Sequence, residues 1–213
     1  MKRLAPAATA LLLIALAAPA ASAQPQPGNL TLNGPKTVRF GQGATLSGKL
    51  TGRNNEGRAI TLREDPFEFG VFVNAGTAPT DAQGNYSFVR MPSVNTRYQT
   101  RVGSEESQQV TVTVLPKVTL TVSDRTPRAG RRVRFSGRVC PQHDGAALKV
   151  QRRTRNGKWR TVAGTTLADI PGVDCSSYSR RVRVRRDGAY RTFLAEHNDH
   201  GAGISRPKRL NVH

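Results

Sequence analysis

Apolar and polar residues alternate along this chain with a period of two. In Arg132-Val133-Arg134-Phe135-Ser136-Gly137-Arg138-Val139 the charged or hydroxyl residues take one parity, and the apolar residues with Gly137 take the other. Successive side chains of a strand point to opposite faces, so this spacing marks a strand with one face buried and one face wet. The same alternation, bounded by Gly, Asn, Asp and Pro, predicts strands at 29–33, 36–40, 44–51, 58–63, 69–74, 84–90, 96–102 and 107–114. A second series follows at 117–123, 132–139, 146–153, 158–163, 177–184, 189–195 and 205–212. Helical spacing is missing from residue 24 onward.

The second series repeats the first. Leu46-Ser47-Gly48-Lys49-Leu50 returns as Phe135-Ser136-Gly137-Arg138-Val139, and Arg97-Tyr98-Gln99-Thr100-Arg101-Val102 returns as Ala189-Tyr190-Arg191-Thr192-Phe193-Leu194. A repeat of about 90 residues, each carrying about seven short strands, is the length and density of an immunoglobulin-like sandwich. The expected fold class is therefore all-β, with two tandem immunoglobulin-like β-sandwich domains at 24–116 and 117–213. The boundary falls at Leu115-Pro116-Lys117, with no long linker. The inward parity gives the expected cores: Leu46, Ile60, Leu62, Tyr86, Phe88 and Tyr98 in the first domain. In the second they are Val133, Phe135, Val139, Leu148, Val150, Tyr178, Val182, Tyr190 and Leu194.

The first residues have a different character. Lys2 and Arg3 precede an apolar run from Leu11 to Ala18, and Ala21-Ser22-Ala23 offers small residues for cleavage. These are the parts of a secretory signal peptide, expected at 1–23 and too short for a bilayer span. No later stretch reaches transmembrane length, so the mature product is expected to be secreted, extracellular or associated with the cell wall. Cys140 and Cys175 are the only cysteines. In an exported domain they are expected to form a disulfide.

Three further segments carry a resemblance. Thr80-Asp81-Ala82-Gln83-Gly84-Asn85-Tyr86-Ser87-Phe88 resembles the turn and strand of bacterial Ig-like and carboxypeptidase-regulatory-like β-sandwich domains. Gly157-Lys158-Trp159-Arg160-Thr161-Val162-Ala163 resembles a hairpin of the Ig-like repeats in exported proteins of high-GC Gram-positive bacteria, and His200-Gly201-Ala202-Gly203-Ile204-Ser205 resembles the loop before their last strand. The likeness spans nearly all of the chain after residue 24. It implies an exported β-sandwich used as a spacer, adhesin module or enzyme appendage, and it brings no catalytic residues. The first repeat departs from it, with Phe67-Glu68-Phe69-Gly70-Val71-Phe72 in place of the Gly-Lys-Trp hairpin.

Charge separates the repeats. Residues 24–116 hold nine Lys and Arg against seven Asp and Glu, whereas residues 117–213 hold 22 against seven. The alternation sends Arg132, Arg134 and Arg138 outward from one predicted strand, and Arg181, Arg183 and Arg185 outward from another. If the two strands are the B and E neighbours of one sheet, six arginines share a face. The preceding strand adds only Thr119, Thr121 and Ser123 to that side. Guanidinium forks match phosphate and carboxylate. The expected partner is an anionic cell-wall polymer or an acidic polysaccharide, bound without chemistry. A purely structural spacer with a solvated basic surface is the alternative, and an enzyme or inhibitor sited on loops is a third. Nucleic acid is not the expected physiological ligand, because the chain has a single Trp and few aromatics for base stacking.

Catalytic and metal motifs are weak. The chain lacks G-x-S-x-G, H-E-x-x-H and a Gly-rich phosphate loop, so no enzyme and no cofactor are expected. Asp81 reads as a turn residue. His197 and His200 form one loop H-x-x-H, with His143 far away in sequence. Zinc needs three or four convergent ligands, so no metal site is expected. The aromatic segment Phe67–Val73 is expected to pack under a loop of the first domain; alternatively Phe67 or Phe69 projects as a contact patch or packs against the second domain.

Overall fold

In the computed structural model, residues 29–213 are described; the expected signal peptide at 1–23 lies outside them. The chain forms β1 (Leu30–Asn33), β2 (Thr37–Arg39), β3 (Ala44–Leu50), β4 (Ala59–Pro66), β5 (Val73–Pro79), β6 (Asn85–Arg90), β7 (Thr96–Val102), β8 (Glu105–Glu106) and β9 (Val110–Leu115). It continues with β10 (Lys117–Val118), β11 (Thr121–Val122), β12 (Arg132–Cys140), β13 (Ala147–Arg153), β14 (Trp159–Thr166), β15 (Ala168–Asp169), β16 (Ser176–Arg183), β17 (Gly188–Leu194), β18 (Gly203–Ile204) and β19 (Lys208–Leu210). The described residues are all-β, and none of them forms a helix long and apolar enough to cross a membrane.

Four sheets result. In the N-terminal half β1-β3-β6 faces β2-β9-β7-β4-β5, with β8 added to β7. In the C-terminal half β10-β12-β16-β15, with β11 on β12, faces β14-β13-β17-β18, with β19 on β17. The orders follow the ABE and GFC sheets of an immunoglobulin-like sandwich. Among the described residues all ladders are antiparallel except β2 on β9, where the first strand has switched sheets. No ladder joins the two halves among the described residues.

Each half buries its own core. Leu32, Leu46, Ile60, Leu62, Tyr98, Val112 and Val114 centre the first. Phe135, Val150, Val182 and Tyr190 centre one cluster of the second, and Val139, Leu148, Tyr178 and Leu194 centre another. The inward parity read from the sequence holds at every named position except Phe88, which is half-buried at the rim. Tyr190 donates its hydroxyl to the Arg186 carbonyl at 2.7 Å, four residues upstream, and so forms the tyrosine corner of these sandwiches.

The repeated Ser-Gly pair has a structural reason. Gly48 stands opposite Tyr86 in the β3–β6 ladder, and Gly137 stands opposite Tyr178 in the β12–β16 ladder. Without a Cβ at these positions, each tyrosine hydroxyl passes under the strand to a carbonyl of the first strand region. Tyr86 reaches Thr31, and Tyr178 reaches Thr119 at 2.6 Å. Each hydroxyl also meets a threonine of the facing sheet: Thr100 at 2.7 Å and Thr192 at 3.1 Å. These contacts pin the two sheets together through buried, satisfied polar groups.

Four strand expectations need correction. The run 117–123 is divided into β10 and β11, with Thr119 and Leu120 between them. The run 69–74 is not a strand at its start. Phe69 has φ of 55°, and the Gly70 amide donates to the buried Asp65 carboxylate at 2.9 Å, so the chain turns here and β5 begins at Val73. The run 107–114 breaks at Ser107, whose hydroxyl accepts from the Thr100 amide at 2.9 Å. Ser205 does the same to Thr192 at 2.9 Å and divides the last strand region into β18 and β19. The aromatic segment packs on itself: Phe67 and Phe69 meet edge-on with centroids 5.6 Å apart, and the Arg97 guanidinium lies 4.6 Å from the Phe69 ring centroid. Arg97 is in turn held by Asp65, with Nε donating at 3.0 Å.

Candidate polyanion-binding face

The β12–β16 ladder sets the candidate site. Its register places Arg132 opposite Arg183, Arg134 opposite Arg181 and Arg138 opposite Ser177. Directly opposite side chains project to the same face with Cβ atoms about 4.5–5.5 Å apart. All five arginines are exposed. Thr121, paired with Ser136, continues this face on β11. The Thr119 hydroxyl accepts from the Arg138 amide at 2.8 Å. The disulfide Cys140–Cys175, with Cα atoms 4.3 Å apart, extends the same ladder by one step beyond Val139 and Ser176.

Arg185, the sixth expected member, is elsewhere. β16 ends at Arg183, and Val184 turns inward while its amide donates to the Arg131 carbonyl at 2.9 Å. Arg185 then lines the end of the sandwich. There a cleft of about 250 Å³ between the edges of β14 and β16 takes Arg160, Val162, Val182 and Arg183 into its walls. A shallow groove of about 1090 Å³ continues from it, walled by Arg152, Arg153, Arg155, Arg160, Arg186 and Arg209. Arg183 belongs to both the flat face and the cleft, so the two basic regions are continuous.

The groove arginines lie beyond the reach of strand parity because most sit at strand ends and in turns. Arg152-Arg153, Arg155 and Arg185-Arg186 are adjacent or nearly adjacent in sequence, and this clustering is the signal that could have found them. Arg180 is a further exception. It stands opposite Phe135, at an inward position, yet is exposed. β15 covers β16 only at Ser176 and Ser177, so Arg180 lies on an open sheet edge, where a charge discourages edge-to-edge pairing.

The electrostatics of the halves differ in kind. In the N-terminal half three of the seven arginines are paired: Arg63 with Glu106 at 2.8 Å, Arg90 with Glu64 at 3.0 Å, and Arg97 with Asp65. In the C-terminal half no arginine or lysine has a carboxylate within ion-pair distance among the described residues. Asp187, inside the groove, spends its carboxylate on the Val212 amide. Like charges directly opposite in a ladder destabilise it, so Arg132–Arg183 and Arg134–Arg181 do not serve the stability of the sheet. Arg191 acts differently. Its guanidinium stacks 4.1 Å from the Trp159 ring centroid and donates to Gln151 at 2.9 Å, fixing the Gly-Lys-Trp hairpin.

No protein-family model matches this chain, and no curated protein matches it either.

Proposed function

We propose that this is an exported, non-catalytic interaction protein of two tandem Ig-like domains, 24–116 and 117–213, whose second domain binds anionic surface polymers. The observation that carries the reading is the register of β12 on β16. It brings like-charged arginines face to face and leaves them without acids. A polyanion relieves that repulsion, and its phosphates or carboxylates meet guanidinium forks at about the strand spacing. The face leads through Arg183 into the end groove, so an extended polymer has a path longer than one strand pair. The first domain, where Arg63, Arg90 and Arg97 are held by acids and the net charge is small, presents or spaces. The disulfide fits an oxidising, extracytoplasmic setting.

The test is a salt titration of the full chain against a phosphate-bearing wall polymer, an acidic polysaccharide and duplex DNA. A preference for one polymer that survives at about 150 mM salt, where the Debye length is about 8 Å, supports the reading. Arg134→Glu with Arg181→Glu is expected to abolish it. Equal, weak binding to all three polymers that vanishes by that salt would leave the protein as a spacer with a solvated basic surface.

A further inference from the structure

Three of the four histidines meet in space. The His143 ring, in the loop after Cys140, lies 4.9 Å from the His200 ring and 5.5 Å from the His197 ring, centroid to centroid. His143 is 9% exposed and His200 is 3% exposed. Ligand atoms of His143, Asp199 and His200 all lie within 4.8 Å of one another. The fold draws them together from both ends: the disulfide and Ser176 hold the His143 loop, with the His143 amide donating to the Ser176 hydroxyl at 2.7 Å. Asp199 and His200 sit in the tight 197–200 turn after β17.

The hydrogen bonds of the rings assign their free atoms. Nδ1 of His143 lies 2.7 Å from the Pro141 carbonyl oxygen, which can only accept, so Nδ1 carries the proton and Nε2 the lone pair. Nε2 of His200 lies 2.7 Å from the Ser93 carbonyl oxygen, so Nε2 carries the proton and Nδ1 the lone pair. Both lone-pair nitrogens are buried and have no hydrogen-bond partner. Nδ1 of His200 faces Asp199 Oδ2 at 3.0 Å, an acceptor against an acceptor, with no hydrogen bond satisfying the nitrogen.

We propose that His143 Nε2, His200 Nδ1 and the Asp199 carboxylate bind a divalent transition-metal ion of the zinc class. The donor set is imidazole and carboxylate, the set such ions take. Each imidazole has its other nitrogen donating to a backbone carbonyl, the outer-shell arrangement that fixes tautomer and ring orientation at metal centres. A tetrahedral shell with bonds near 2.0 Å spaces its ligands about 3.3 Å apart. The Asp199–His200 pair is already at 3.0 Å, and only His143 must close in. Three protein ligands leave a fourth position open; the His197 ring, 5.5 Å from that of His143, has its Nδ1 3.0 Å from the Ala195 carbonyl oxygen. Because His200 is bonded to Ser93 of the N-terminal half, an ion here braces the junction between the halves. The site shares no residue with the polyanion face.

Zinc ion alone, titrated into the full chain after chelator treatment, tests it. One equivalent per chain is expected, with Co2+ substituting to give the intense visible bands of a tetrahedral site. His143→Gln and Asp199→Asn should each weaken binding at least about 100-fold, beyond the loss seen on removing an outer-shell partner. Glu56→Gln, an exposed acid of the other half, should leave it unchanged. The Asp199 side chain makes no hydrogen bond among the described residues, so Asp199→Asn keeps the fold even if His143→Gln does not. Failure to bind one equivalent, or binding that both variants leave intact, overturns the proposal.

Discussion

Gly137 stands directly opposite Tyr178 across the β12–β16 ladder, and a Cβ on Gly137 would lie 2.8 Å from the tyrosine hydroxyl and inside contact distance of the Thr119 carbonyl oxygen. One atom more would drive the hydroxyl from its place between Thr119 and Thr192. Gly137→Ala is therefore expected to destabilise by about 1–3 kcal/mol, the range of overpacked cores. Tyr178→Phe should cost about 1–2 kcal/mol, because the buried Thr192 hydroxyl and Thr119 carbonyl lose a partner. Urea unfolding of the full chain measures both.

The same hydroxyl gives an alkaline signature. Burial pushes the Tyr178 phenol up to about 12, and burial with the nearby Glu64 charge does the same to Tyr98. Each phenol ionises near 10 in the unfolded chain. Because the folded values are raised, the stability these groups contribute is complete below pH 10 and is lost as pH rises from about 10 to about 12. Unfolding curves across that window should show a falling midpoint, less steep in Tyr178→Phe. An equal slope in both proteins would remove Tyr178 from the account.

Facing arginines predict an inverse effect of salt. Arg134→Thr removes one member of the Arg134–Arg181 pair and supplies a good strand former. Its stability at low salt should match or exceed the wild type by up to about 1 kcal/mol, while polyanion binding weakens. Added salt should stabilise the wild type more than the variant, as screening relieves the repulsion. A variant less stable at every salt concentration would mean that Arg134 serves the sheet.

The disulfide closes a separation of 35 residues. Chain-entropy arguments give it about 4 kcal/mol. Cys140→Ala with Cys175→Ala should lower the melting temperature. It should also weaken zinc binding, because the His143 loop begins at Cys140. Retained zinc affinity in a destabilised double variant would show that Ser176 alone holds that loop.

Asp65 is 2% exposed and carries two duties, pairing with Arg97 and accepting from the Gly70 amide. Asp65→Ala leaves both without a partner. A loss of about 1–3 kcal/mol is expected, the cost of removing a buried hydrogen-bond partner while Arg97 keeps access to water, together with faster proteolysis between residues 67 and 72. Limited proteolysis followed by mass spectrometry locates the cut.

Much of the fold is legible in the sequence because period-two alternation is local. Parity alone assigns Val133, Phe135, Val139, Tyr178 and Val182 to the interior, and Arg132, Arg134, Arg138, Arg181 and Arg183 to the surface. Parity fails where the strand ends. Arg185 follows an inward-turning Val184, and no period in the sequence announces that turn. It fails again in Phe67–Phe72, where a buried carboxylate from Asp65 organises the backbone in place of a ladder.

The all-β character of the chain, its repeat, its buried parity and the asymmetry of its charge follow from the residues alone, because each is a matter of composition or nearest-neighbour spacing. Which residues meet is settled only in three dimensions. The ladder register puts Arg134 against Arg181 and Gly137 against Tyr178. The return of the chain after β17 brings His200 to His143, far apart in sequence. Such contacts depend on how strands pair and where loops close, and chain entropy makes those choices collective, beyond what any short window of residues encodes.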